Sequence, residues 1–368
     1  MTVTVRSFAK INLGLRIGAA REYGFHELLT VYQTIALHDV IRVSVGRGSG
    51  IQIRCEDPRV PRDESNTCFR MVERALVALR VKARVTIEIE KRLPVQGGLG
   101  GASANAIATL LALERALGKS MAMAERLRIA AEVGSDLPLF LVGGTVLGMG
   151  RGEQVFPLPD LPAMACVVVT PQVGVSTPLA FAQWDRLHGA GASTRTTSIA
   201  AQIRGEKHAE LRSAGTEECA RPRTSSHAAS DHESAKLTAA DASDKMKVLG
   251  RGLSAWLSEL HSSAPLRFMR TGGRARNPLP WLVRAGIEND FERVVFPEYP
   301  ELRDGKRALL RAGAKYASLS GSGSTLYGLF GSKAAAVKAA ARLRGEGRVA
   351  QATSTLTRAV YWRRLVRG

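Results

Sequence analysis

Four cysteines are spread over 368 residues, at 55, 68, 166 and 219, and no two form a C-x-x-C pair. That excludes a compact zinc site or a disulfide scaffold and fits a reducing cytoplasm, the location expected here. Aromatic residues make up only 5% of the chain, too few for a general single-strand nucleic-acid platform built on stacking. No apolar run approaches the roughly 18–20 residues that span a bilayer, so no membrane partner is expected. The opening MTVTVRSFAKINLGL has no charged n-region, no long apolar stretch and no A-x-A site, so no signal peptide is expected. No His, Cys and carboxylate cluster has metal-ligand spacing, and no protein metal site is expected.

What is present is a globular composition, 45% apolar and 23% charged, long enough for two domains. The net charge of +19 invites an anion reading, but it is unevenly placed. Residues 331–368 carry nine Lys and Arg against one Glu, and residues 186–287 carry sixteen against nine acids. An excess confined to a tail and one odd segment is read as solvated surface, and nucleic acid is not expected as a partner.

Periodicity orders the chain. Residues 2–6, 30–36, 40–45 and 84–90 alternate or run β-branched, as strands do. Residues 65–79 read as a helix capped by Ser65 or Asn66, and 103–118 and 123–134 as helices that end at glycines. Residues 166–171 read as a short buried strand and 176–187 as a helix. From about 190 to 275 the composition turns to Ser, Ala, Thr and charge, a low-complexity insertion with little to bury. Order is expected to resume near 278. A helix over 298–313, strand–turn–strand over 314–330, a helix over 332–345 and a last strand over 354–360 follow. Strands and helices in loose alternation predict an α+β architecture of two layers.

The strongest chemical feature is LPVQGGLGGASANA, residues 93–106. Its glycines free backbone N–H groups to converge where a helix begins, and such a terminus attracts phosphate. Neither G-x-x-x-x-G-K-[ST] nor G-x-G-x-x-G is present, so this is neither a P-loop nor a dinucleotide fingerprint; a flexible turn is the plainer reading. A second glycine turn, SLSGSGSTLYG (318–328), permits close backbone approach. Lys10 follows the first strand; alone it reads as a surface charge. Asp136 stands in VGSDLP and alone reads as a helix cap. His26 alone reads as a structural histidine.

Together, FAKINLGL, GFHELLTVYQTI, the first glycine turn, VGSDLPLFLVGGTVLGMGRGE, GVSTPLAF, ENDFE and SLSGSGST resemble the GHMP kinases over about residues 1–185 and 278–360. The resemblance implies a two-domain fold. A nucleotide-binding α/β layer domain would span 1–165. A ferredoxin-like α+β domain would span 166–368, interrupted at about 190–275. It implies ATP and Mg²⁺, with the acceptor the 2-hydroxyl of a cytidine diphosphate methylerythritol, an isoprenoid precursor. It implies that Lys10 and Asp136 flank that hydroxyl. Asn66, Lys91, Pro94, Gly97, Gly98, Leu99, Gly100, Gly101 and Ser103 would bind ATP. Phe25 and Phe181 would sandwich the cytosine, His26 would bond its edge, and Asn12, Thr177, Gly321 and Gly323 would complete the substrate side. Two positions depart from the family pattern. Ala104 follows Ser103 where a second hydroxyl or small polar residue is usual, and Phe25 stands where Tyr is frequent.

Overall fold

A computed structural model describes residues 1–20, 25–95, 97–188 and 287–366. The expected insertion at about 190–275 and the resumption of order at 278–286 lie outside the described residues.

The first sheet is built on two long antiparallel strands, β1 (Thr2–Ala20) and β2 (His26–Gly46). Beside β2 run β4 (Arg84–Glu90) and then β3 (Gly50–Cys55), the last pair parallel. On its other flank lie β5 (Thr145–Met149) and β6 (Gln154–Pro157). Four helices accompany this sheet: α1 (Thr67–Leu79), α2 (Gly101–Leu117), α3 (Met123–Val133) and α4 (Leu137–Val142). Asn66 caps α1, its Oδ1 accepting from Cys68 N at 2.8 Å, as expected of an N-cap amide. Gly118 ends α2 in the left-handed conformation, the usual glycine stop. Their apolar faces meet the sheet in one core around Met71, Ile87, Leu110 and Phe140.

The second sheet has the order β10-β7-β9-β8, antiparallel throughout. Its strands are β7 (Ala165–Val169), β8 (Tyr316–Leu319), β9 (Leu326–Phe330) and β10 (Ala350–Ser354). Strand order 4-1-3-2 is the ferredoxin-like arrangement. Helices α5 (Thr177–His188), α6 (Glu292–Glu298), α7 (Pro300–Arg311) and α8 (Lys333–Gly345) belong to this half, and its core holds Trp184, Phe291, Leu309 and Leu343. A third cluster, including Ala9, Ile11, Leu13, Val168, Tyr327 and Leu329, joins the two halves.

The last strand departs from expectation. Pairing stops at Ser354, and residues 358–365 form α9 (Arg358–Leu365). Thr357 explains the switch, because its hydroxyl accepts from Val360 N at 3.3 Å and caps the helix. Tyr361 and Leu365, four apart on one face, then bury in the first core.

Candidate active site

Strand β1 sorts its residues by period two. Ala9, Ile11 and Leu13 enter the cluster between the sheets, so Lys10 and Asn12 emerge on the opposite face. Register shifts between Phe8 and Lys10 and between Asn12 and Gly14 bracket these two polar residues. Such bulges re-aim side chains.

Lys10 is 3% exposed, yet it is well partnered. Its Nζ donates to Asn12 Oδ1 at 2.8 Å and lies 3.2 Å from Asp136 Oδ2. Asn12 Nδ2 in turn donates to Thr30 Oγ1, which donates to the Gly14 carbonyl, both at 2.8 Å. Asp136 occupies the N-cap position of α4 but makes no capping bond. Its oxygens go instead to Lys10 and to the Tyr32 hydroxyl, which donates to Oδ1 at 2.9 Å. Burial foremost, then the charges of Asp136 and Glu153, push the Tyr32 phenol well above its ordinary range. Tyr32 therefore stays protonated and acts as a donor.

The two glycine turns, more than two hundred residues apart, dock backbone to backbone. Ser320 Oγ donates to Gly98 O at 2.9 Å, and Thr325 N donates to Gly97 O at 3.1 Å. A Cβ on Gly98 would overlap the Ser320 carbonyl and lie 2.9 Å from Gly323 O, and its φ of +76° is left-handed. Only glycine serves there. Lys10 crosses this junction. Its amide donates to Leu99 O at 2.9 Å, and a Cβ on Gly321 would stand 3.6 Å from its ammonium. No side chain caps α2, so the first amides of a 17-residue helix are left to an anion. Pro94 packs on Gly97, and Leu99 is anchored between the sheets.

Asn289, in the NDFE segment, fastens the second turn. Its Nδ2 donates to the carbonyls of Leu319 (2.9 Å) and Gly321 (2.7 Å). Neighbouring Asp290 accepts from Ile17 N at 3.0 Å.

Lys91 and Asn66 have structural partners. Lys91 Nζ meets buried Asp39 at 2.7 Å, and Asp39 also accepts from the amides of Arg92 and Leu93 and from Asn105 Nδ2. Both lie beside the start of α2: a Cβ on Gly101 would be 3.4 Å from Lys91 Nζ, and Thr67, next to Asn66, donates to Ala102 O. Ala104 is buried in the first core, so a hydroxyl at that position would face packed apolar atoms.

A second group lies where β2 begins. The His26 and Phe181 rings stack at 5.0 Å with 13° between planes, and Phe181 meets Phe291 edge-on. His26 Nε2 is 2.6 Å from Asp185 Oδ1. Phe25 is 54% exposed, with the Arg151 guanidinium 5.2 Å from its ring centre. The ring stacked on Phe181 is thus His26, not Phe25. Thr177 and Ser322 share a hydrogen bond of 2.7 Å, beside Gly323.

Sequence reasoning missed Tyr32, Asp39, Asp185 and Asn289. NDFE was a visible signal for Asn289; the other three carry none, since their meaning depends on partners 52 or more residues away.

Among known proteins, the family model for the GHMP kinases N terminal domain matches residues 66–144, and that for the GHMP kinases C terminal matches 281–349. The fold and the paired glycine turns are therefore those of a GHMP kinase. A 4-diphosphocytidyl-2-C-methyl-D-erythritol kinase of Solibacter usitatus (strain Ellin6076) is 33% identical, covering 89% of this chain and 80% of its own. Another from Acaryochloris marina (strain MBIC 11017) is 30% identical, covering 92% and 91%. A crystal structure of 4-(cytidine 5'-diphospho)-2C-methyl-D-erythritol kinase superposes with a TM-score of 0.61 at 25% identity, covering 96% of this chain and 98% of that one. A homoserine kinase from Cytophaga hutchinsonii superposes equally well, TM-score 0.62 at 19% identity, covering 97% of this chain and 95% of that one; that likeness speaks to fold alone. The chain belongs to the GHMP kinases, in the family of the 4-diphosphocytidyl-2-C-methyl-D-erythritol kinases.

Proposed function

We propose that this protein transfers the γ-phosphoryl group of ATP to the 2-hydroxyl of 4-diphosphocytidyl-2-C-methyl-D-erythritol, in the synthesis of isoprenoid precursors. The observation that carries this reading is the Lys10–Asp136 pair set against the uncapped start of α2 and the two docked glycine turns.

Phosphoryl transfer needs positioning and charge stabilisation more than covalent work by the protein. The amides from Gly98 to Ser103 cradle the triphosphate, and the helix dipole adds to their field. Asp136 accepts the proton of the acceptor hydroxyl or holds it in line. The acceptor oxygen forms its bond to the γ-phosphorus as the bond to the bridging oxygen of ADP breaks. Lys10 offsets the charge on the transferring group. Asn66 and Lys91 lie toward the adenine, with Pro94, Gly97, Gly98, Leu99, Gly100, Gly101 and Ser103 forming the rest of the ATP side. Phe25, His26 and Phe181 hold the base. Asn12, Thr177, Gly321 and Gly323 hold the remainder of the acceptor.

Among the described residues no three His, Cys, Asp or Glu side chains could hold a metal. Mg²⁺ would arrive with the ATP and need few protein ligands. Once bound it would neutralise phosphate charge. Residues 1–165 and 166–368 are the two domains of this reading, and the cytoplasm its setting.

The test is ADP release with the cytidine diphosphate acceptor, beside mevalonate and homoserine. Turnover confined to the first is expected; faster turnover of either other alcohol overturns the proposal.

A further inference from the structure

We infer that Asp185 is a specificity-determining residue: it fixes His26 in the tautomer whose Nδ1 accepts a hydrogen bond, so the site selects a base with a 4-amino group over its 4-oxo counterpart. This rests on the reading above that His26 meets the base.

Phe181 and Asp185 are four residues apart on α5, so both project from one face of the helix. Phe181 supplies a floor beneath the imidazole, and Asp185 Oδ1 reaches its Nε2 at 2.6 Å. The imidazole is held on one side and at one nitrogen, and Phe291 braces the floor from its edge. Among the described residues Nδ1 has no hydrogen-bond partner.

The tautomer follows from the partner. An ionised carboxylate only accepts, so the ring proton of neutral His26 must sit on Nε2, and Nδ1 presents a lone pair. A pyrimidine coplanar with the imidazole continues the plane that already lies on Phe181. A 4-amino group offers that lone pair a proton. A 4-oxo group offers a second lone pair, and the contact turns repulsive. Sites built around one hydrogen-bonding group discriminate strongly because the wrong analogue leaves that group unpaired. Asp185 never touches the base in this scheme; it acts through His26.

Asp185→Asn tests this. A carboxamide keeps the shape but can turn either its oxygen or its NH₂ toward Nε2, which frees the tautomer. The readout is the ratio of kcat/KM for the cytidine diphosphate acceptor to that for the uridine diphosphate acceptor carrying the same methylerythritol. The variant is expected to lower this ratio about tenfold or more, chiefly through KM. A merely structural role would depress both substrates alike, and an unchanged ratio overturns the assignment. If the wild-type chain turns over neither substrate, the proposed function fails instead. The tautomer then decides by itself, from ¹⁵N spectra of the full chain with His26 assigned by its Gln variant. An Nε2–H ring in wild type and a mixture in Asp185→Asn supports the inference; an Nδ1–H or doubly protonated ring in wild type overturns it.

Discussion

The proposed phosphate side and the proposed base side of the site are built differently. Around Gly98 the groups proposed to work are backbone amides and carbonyls, held where a single added methyl would collide with the Ser320 and Gly323 carbonyls. Around Phe25 and His26 the working groups are side chains, one of them more than half exposed and the other steered by a residue on a separate helix. Backbone chemistry is the same whatever the acceptor, which suits a step common to many phosphoryl acceptors. Side chains can be exchanged without unmaking the turns, so a different alcohol can be chosen on the same frame.

The sharpest way to break the phosphate side is at its charges. Asp136→Asn keeps the shape and removes the carboxylate, and kcat should fall by about 10²–10⁴-fold while the acceptor still binds. Calorimetric titration beside steady-state kinetics checks both halves, and a kcat within threefold of wild type would return Asp136 to a structural role. Lys10→Met should also lower kcat more than it weakens nucleotide binding, since amides carry most of that binding.

Gly98→Ala should come next. The new Cβ meets backbone rather than a yielding side chain, at a left-handed φ. A cost of about 1–3 kcal/mol or more is expected, with ATP binding lost before acceptor binding. Thermal melts and ATP titrations read this directly; an unchanged melt and ATP affinity would show that the two turns are not in close contact.

On the base side, Phe25→Ala should leave stability almost untouched, because the ring is largely exposed. An aromatic stack contributes about 1–3 kcal/mol per base. KM for the cytidine acceptor should therefore rise about tenfold or more while KM for ATP stays put. Equal movement of both constants would mean that Phe25 shapes the whole site.

The smallest effect is one of pH. Burial raises the phenols of Tyr32, Tyr316, Tyr327 and Tyr361 in the folded chain. In the unfolded chain tyrosine titrates near 10. Below that pH both states hold the proton and the contribution to stability is full. Above it the unfolded state sheds protons that the folded state keeps, so stability falls as pH rises. Urea midpoints at pH 8 and pH 10.5 should show this loss, and replacing Tyr361, whose hydroxyl donates to Phe140 O, by Phe should reduce the slope.

Local signals made much of the fold legible. The Asn66 cap, the Gly118 stop and the alternation over 84–90 are short-range physics, and the elements stand where those signals put them. The last strand failed for an equally local reason, the competing cap at Thr357. β3, β5, β6, α4 and α6 have no counterpart in the sequence reading, because they are short and their patterns are weak. Lys10, Asp136 and the two glycine turns were legible as motifs, but only the family resemblance, not their own spacing, brought Lys10 and Asp136 to one place.

By itself the sequence determined most of the longer helices and strands, where glycine allows close approach, and which residues could carry charge to a phosphate. Those properties depend on neighbours within a turn or two of the chain. Only tertiary structure decided that Asp136 abandons its cap for Lys10 and Tyr32, that Asn289 fastens the second turn, and that Asp185 holds His26. Each is a contact across 30 to 159 residues. Hydrogen bonds of that kind follow from how sheets and helices pack, and no local periodicity encodes them.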